Sequence, residues 1–219
     1  MLTHRSRNVL RFAPPLMLLA LSVAMTTASS AQEAVLELNP ATPRINFSLR
    51  SFAHKVHGTF ALKRGTIRVD TATGSADGIV IVDATSGDSG NRTRDAEMKE
   101  SVLEAQRYPE IRFAPQHIEV QSGPQGESRV KIRGTFWLHG AEHDLTLDAL
   151  VRLNGEEWTA TTHFTIPYVQ WGLKDPSVFI LRVSDTVDID VNATGHLAWT
   201  PTVETRNNGA LKETIQGSH

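Results

Sequence analysis

Two stretches, KVHGTFALKRG at Lys55–Gly65 and KIRGTFWLHG at Lys131–Gly140, are nearly one phrase written twice, about 76 residues apart. Two copies are too few for a solenoid, which needs several at a fixed period. Their parity is more informative. Val56, Gly58, Phe60 and Leu62 fall on one face of the first copy, and Lys55, His57, Thr59 and Lys63 on the other. The second copy repeats this, with Ile132, Gly134, Phe136 and Leu138 opposed to Lys131, Arg133, Thr135 and His139. Alternation with period two is the pattern of a strand with one face buried. A glycine on the apolar face predicts a bend, or a place where something comes close to the backbone.

The same alternation extends in both directions. Ile45, Phe47 and Leu49 alternate with polar residues, and GIVIV at Gly78–Val82 is a β-branched run; DLTLDALVRL places Leu145, Leu147, Ala149, Val151 and Leu153 on one face, and EEWTATTHFTI does likewise with Trp158, Ala160, Thr162, Phe164 and Ile166. The longest run is Val187, Ile189, Val191, Ala193, Gly195, Leu197 and Trp199 against Asp188, Asp190, Asn192, Thr194, His196 and Ala198. IRF and HIEV flank Pro115, which predicts an interruption or an edge. Turn sequences separate the runs at ATGSADG, GPQGES, LHGAEHD and LNGEE.

One segment departs from this. TRDAEMKESVLEAQRYPE, Thr93–Glu110, carries Met98, Val102 and Leu103 at helical spacing, with Thr93 as N-cap, Asp95 and Glu97 in the first turn, and Tyr108-Pro109 as the stop. The expectation is an all-β fold of antiparallel strands with one inserted amphipathic helix. A long antiparallel series is best satisfied by closing on itself, which removes the edges. About eight strands then give a barrel wide enough for one slender ligand, or one filled by its own side chains.

The ends read differently. Arg5, Arg7 and Arg11 precede the apolar PLMLLALSVAM, and Ser29-x-Ala31 fits a cleavage site, so residues 1–31 are expected to be a signal peptide. The apolar core is shorter than the roughly 20 residues of a spanning helix. Removing residues 1–31 takes three of the 22 Lys and Arg and none of the 24 Asp and Glu, leaving a formal charge of −5. That balance argues against a nucleic-acid partner. With no cysteine, an exported chain has no disulfide and depends on its core alone. Residues 32–200 suffice for one such domain, and 201–219 are polar and aperiodic, expected to form a disordered tail.

Residues that invite chemistry have simpler explanations. His139 and His143, and His54 and His57, have metal-like spacing, but no cysteine or His-Glu-x-x-His motif accompanies them. They are expected to be solvated turn histidines, with no metal or cofactor. Asp188 and Asp190 stand roughly 6.5–7 Å apart on a strand face, as paired carboxylates of hydrolases do. Their face is the polar one, so water-facing positions are expected, and no catalytic residue is assigned. Phe47, Phe60, Phe113, Phe136, Phe164, Trp171 and Phe179 form an aromatic set that serves equally as solid core or as the wall of a cavity.

Several stretches together resemble the YceI-like family of exported lipid-binding proteins. TRDAEMKESVLEAQRYPEIRF is similar to that family's Arg-Asp, spaced apolar residues and Tyr-Pro-x-Ile-x-Phe. NPATPRINFSLRSFAHKVHGTFALKRG resembles its opening strand pair, with Pro43 where a serine is more usual; GTFWLHGAEHDLTL resembles its second hairpin and WGLKDPSVFILRVSDTVDIDV its closing strands. The likeness runs from about Leu36 to Leu197 and implies an eight-stranded, lipocalin-like antiparallel barrel. It also implies a cavity holding a polyisoprenoid or fatty-acyl ligand, lined by the aromatic set above, in a periplasmic or secreted protein. Arg94 then has two readings, a local partner for the helix start or a contact for the ligand head group. The expected partner is a long-chain lipid carried without catalysis, with no stable membrane anchor after signal cleavage and a homodimer left open. The alternative is a barrel with a filled interior that serves as scaffold for a protein or redox partner, its long polar loop DATSGDSGNRT doing the binding.

Overall fold

The computed structural model describes residues 32–41, 44–51, 55–177 and 183–201. The expected signal peptide, the tail beyond Pro201, and Pro43, His54 and Phe179 lie outside the described residues. Among the described residues nine strands follow in chain order: β1 (Gln32–Leu38), β2 (Arg44–Arg50), β3 (Lys55–Asp70), β4 (Ala76–Asp88), β5 (Glu110–Ser122), β6 (Glu127–Leu138), β7 (Ala141–Asn154), β8 (Glu157–Ile166) and β9 (Val187–Pro201). Between β4 and β5 lie a short helix, α1 (Arg92–Glu97), and a π-helical turn over Met98–Val102.

All strand pairings are antiparallel, and β2 through β9 form a closed ring of neighbours in which β9 returns to β2. The ninth strand adds no ninth wall position. β1 pairs with Thr66–Asp70 of β3 and with Gly195–Pro201 of β9, whereas β2 pairs with Lys55–Phe60 and Asp188–Asn192 of the same two strands. β1 and β2 therefore lie end to end in one slot between β3 and β9. The barrel has the expected eight positions, one of them shared by two strands.

The predicted faces are the observed ones. Val56 and Leu62 in β3, and Gly134, Phe136 and Leu138 in β6, are buried, while the alternate lysines, His57 and Arg133 are exposed. Strand β3 keeps its apolar face inward along its length because bulges between Thr59 and Ala61 and between Leu62 and Arg64 reset the parity before Gly65, Ile67 and Val69. Pro115 marks a bulge between Pro115 and His117, yet β5 continues through it as one strand. Proline cannot donate to the ladder, and a bulge is where a strand tolerates that loss.

The repeated glycines mark close approach, since neither has a positive φ. The Phe47 ring covers Gly58 in direct register, so that a Cβ there would fall on it. A Cβ on Gly134 would fall on the carbonyl oxygen of Ala114 and 2.9 Å from both Phe113 Cζ and Pro115 Cα. Gly195 repeats the device in β9, opposite the ring of Trp158. Each glycine lets an aromatic ring or a neighbouring strand press against the wall.

The helix starts earlier and ends sooner than its periodicity predicts. Asn91, in place of Thr93, is the N-cap, its side chain accepting from the Arg94 amide at 3.0 Å. Helical geometry ends at Val102, and Glu104, at φ 44°, turns the chain toward β5. Met98, Val102 and Leu103 nevertheless face the core as predicted.

The interior divides along the barrel axis. At the helix end a large apolar cluster surrounds Phe47, Phe113, Phe136 and Ile189. At the opposite end a smaller cluster of Ala34, Val69, Trp158, Ala193 and Leu197 is packed shut.

Candidate ligand cavity

The larger cluster is hollow and surrounds a cavity. This cavity, of about 610 Å³, lies inside the wall, lined almost entirely by apolar side chains. Phe47, Phe60, Phe113, Phe136 and Phe164 all line it, each supplied by the inward face of a different strand. Two further members of the aromatic set differ. Trp171 is not among the lining residues; it packs behind Phe136 at 5.9 Å between ring centroids and stacks on His143 at 3.9 Å and 5°. Phe179 lies outside the described residues.

The helix end of the cavity is roofed by two elements. The helical segment contributes Arg94, Glu97, Met98, Val102 and Leu103, and the segment after β8 contributes Tyr168, Leu173 and Pro176. A Glu97–Lys174 ion pair at 3.0 Å joins them and holds the Glu97 carboxyl below the usual glutamate range. Alternation along strands cannot reveal such a roof, because neither element alternates. Met98, Val102 and Leu103 were signalled by helical spacing, whereas Tyr168 and Leu173 sit in irregular chain and carried no signal.

Thr162, Tyr168, Arg94 and Glu97, polar residues that reach the cavity, have partners in the protein. Thr162 Oγ1 donates to the Asp148 carbonyl at 2.8 Å, and Tyr168 Oη to the Ser184 carbonyl at 2.7 Å. Burial, then the nearby Asp175 and Asp185, push the Tyr168 hydroxyl up to about 12, so it stays a neutral donor. Arg94 donates from Nε to Ser89 Oγ at 2.7 Å and from Nη2 to the Ser89 carbonyl at 2.9 Å. Asp95 accepts from the Ser89 amide and hydroxyl, which hold its carboxyl below the usual aspartate range. The Arg-Asp pair thus clamps the loop before α1, while the Arg94 side chain also borders the cavity.

The turn histidines are placed otherwise than expected. His139 occupies the β6–β7 turn at φ 53°, bonds to the Glu104 carboxylate at 2.5 Å and packs on Tyr108 at 4.6 Å. His143 faces inward, its Nε2 buried with no protein partner, and burial pulls its pKa below the usual histidine value. Both are drawn in because the roof folds over the hairpin that carries them. Asp188 and Asp190 lie on the outer face, accepting from Thr165 Oγ1 and bonding to His163 Nδ1, each at 2.8 Å. Among the described residues no group of three or more metal-ligating side chains converges.

An eight-position antiparallel barrel, roofed at one end and hollow behind an apolar wall, defines the lipocalin-like class of binding barrels. A protein-family model for the YceI-like domain matches residues 36–195, and the chain belongs to that family. Two solved structures share the fold: Burkholderia cenocepacia BcnA (17% identity, TM-score 0.57, covering 72% of this chain and 98% of that one) and a polyisoprenoid binding domain from Saccharophagus degradans (16% identity, TM-score 0.55, covering 74% and 98%). A search of curated proteins finds no match.

Proposed function

We propose that this protein is an exported, non-catalytic carrier that sequesters a polyisoprenoid or similar long-chain amphiphile in its barrel. The observation that carries the reading is the cavity of about 610 Å³ walled by aromatic and aliphatic side chains. Pockets of roughly 300–1,000 Å³ bury most of a small ligand's surface. Each buried methylene contributes about 0.8 kcal/mol before ordering costs, so an apolar chain supplies ample driving force. Phe47, Phe60, Phe113, Phe136 and Phe164 contact the chain. Its head group sits under the roof, where Arg94 is the contact. The polyisoprenoid-binding description of the Saccharophagus degradans domain agrees with this ligand class, and the N-terminal sequence pattern supports export to the periplasm.

The alternative, a scaffold with a filled interior, leaves the cavity without a purpose. A hydrolase built on Asp188 and Asp190 lacks a cleft, since both stand on the outer wall.

The test is organic extraction of the purified protein followed by mass spectrometry, with uptake assays on the delipidated protein. A long-chain lipid in the extract and saturable uptake of prenyl or acyl chains are expected. A barrel that comes out empty and takes up neither would overturn the reading.

A further inference from the structure

The cavity has a floor as well as a roof, and the floor is built around one side chain. Toward the base the lining ends at Ala193 in β9, Thr162 in β8, Ile132 in β6, Ile67 in β3 and Leu38 in β1. One step further toward the base lies the packed cluster centred on Trp158, which is 5% exposed. Its indole lies against Gly195, where a Cβ would stand 2.5 Å from Trp158 Cζ2, and Nε1 donates to the His196 carbonyl at 3.2 Å. The missing side chain at Gly195 leaves room for the ring and for the Glu37 carbonyl of β1, and the hydrogen bond holds the ring in this packed layer. Leu38, Ile67 and Ala193 belong at once to the cavity lining and to the Trp158 cluster, so no second layer separates them.

From this geometry we infer that Trp158 is the residue that sets ligand chain length, as the stop against which the far end of the apolar chain rests. The inference builds on the carrier reading but adds a separate claim, that cavity depth is set by a side chain at the base and not by the roof. Removing the indole joins the space beneath it to the cavity, since its neighbours Ala34, Ala160 and Ala193 are small. Filling the layer above it from Ala193 shortens the cavity.

The experiment measures displacement of cis-parinaric acid from delipidated protein by geraniol, farnesol, geranylgeraniol and solanesol. In wild type, affinity rises with chain length to a limit and then stops rising. Trp158→Ala is expected to move that limit to a longer alcohol, with about a tenfold or greater gain for the first one beyond the wild-type limit, since each buried methylene is worth several-fold. Ala193→Leu is expected to move it to a shorter one. Trp199→Ala, at a site on the same strand face but 54% exposed beyond the floor, is expected to leave it in place. Should Trp158→Ala fail to fold, Trp158→Leu keeps an apolar base while shortening the stop, and the same shift is expected. A folded Trp158 variant with the wild-type limit would overturn the inference and leave the carrier reading intact. Wild-type binding that increases through the whole series without a limit would do the same. Wild type that binds none of the alcohols would remove both.

Discussion

At Gly134 the barrel wall has no room for a side chain. A Cβ would meet the Ala114 carbonyl oxygen, and backbone cannot move aside as a flexible side chain can. Because φ there is not positive, the cost of Gly134→Ala is steric, and a loss of about 1–3 kcal/mol is expected in urea unfolding. Gly90 is the useful contrast: its φ is +75° but nothing stands within 4 Å, so Gly90→Ala pays only for backbone conformation. His143 provides a second prediction at this scale. Burial holds its folded pKa below 6.5, so as pH falls the unfolded chain takes up the proton first. The stability that depends on neutral His143 is therefore present above about pH 6.5 and lost as pH falls through the folded value. Melting temperatures measured from about pH 7.5 to pH 5 should fall less steeply in His143→Phe than in wild type. Parallel curves would show that His143 is not the group responsible.

Among the elements, the roof depends most on local chemistry. Helix α1 has six residues and buries none, so its cap matters more than its own packing. Asn91→Ala removes the bond to the Arg94 amide and should cost about 1 kcal/mol, seen as faster hydrogen exchange at Arg94 together with a lower melting temperature. The Glu97–Lys174 pair, with both side chains at least half exposed, should contribute little: Lys174→Ala is expected to leave the melting temperature unchanged at low and at high salt. The elements also differ in how far they could be read in advance. Strands β3, β6, β7, β8 and β9 announce themselves because apolar residues recur on one face of each, even where that face reaches solvent at its end, as at Leu153 and Trp199. β1 does not, since Gln32–Leu38 alternates weakly, and its pairing with both β3 and β9 is a long-range event.

For the molecule as a whole, the central question is how the hollow interior is tolerated. Phe136 is 7% exposed and lines the cavity, next to Phe113 in register. In a packed core Phe136→Ala costs about 3–5 kcal/mol. Here one side of the ring already faces empty space, so the loss in delipidated protein should be smaller. The extra stability given by ligand should also shrink, because it follows how tightly the folded state binds. Denaturant unfolding of wild type and Phe136→Ala, each with and without extracted lipid, measures both. A full core-sized loss in delipidated protein, with no ligand effect in either form, would mean that the interior behaves as solid core.

Alternation along the chain was enough to establish antiparallel strands, their inward faces and, through the need to bury edges, a closed barrel. These properties are local, or follow from summing local ones, so Gly58 and Gly134 could be placed on the inner face from parity alone. Whether the aromatic set enclosed a solid core or a cavity was not legible, because the same phenylalanines serve either, and only their separation across the barrel distinguishes the two. The positions of His139, His143 and Trp171 were likewise decided by tertiary structure. They depend on the helix and the segment after β8 folding over one hairpin, a meeting of residues far apart in sequence. The floor at Trp158 is the same kind of fact: its indole was one more inward residue of an alternating strand until β9 placed Gly195 beside it.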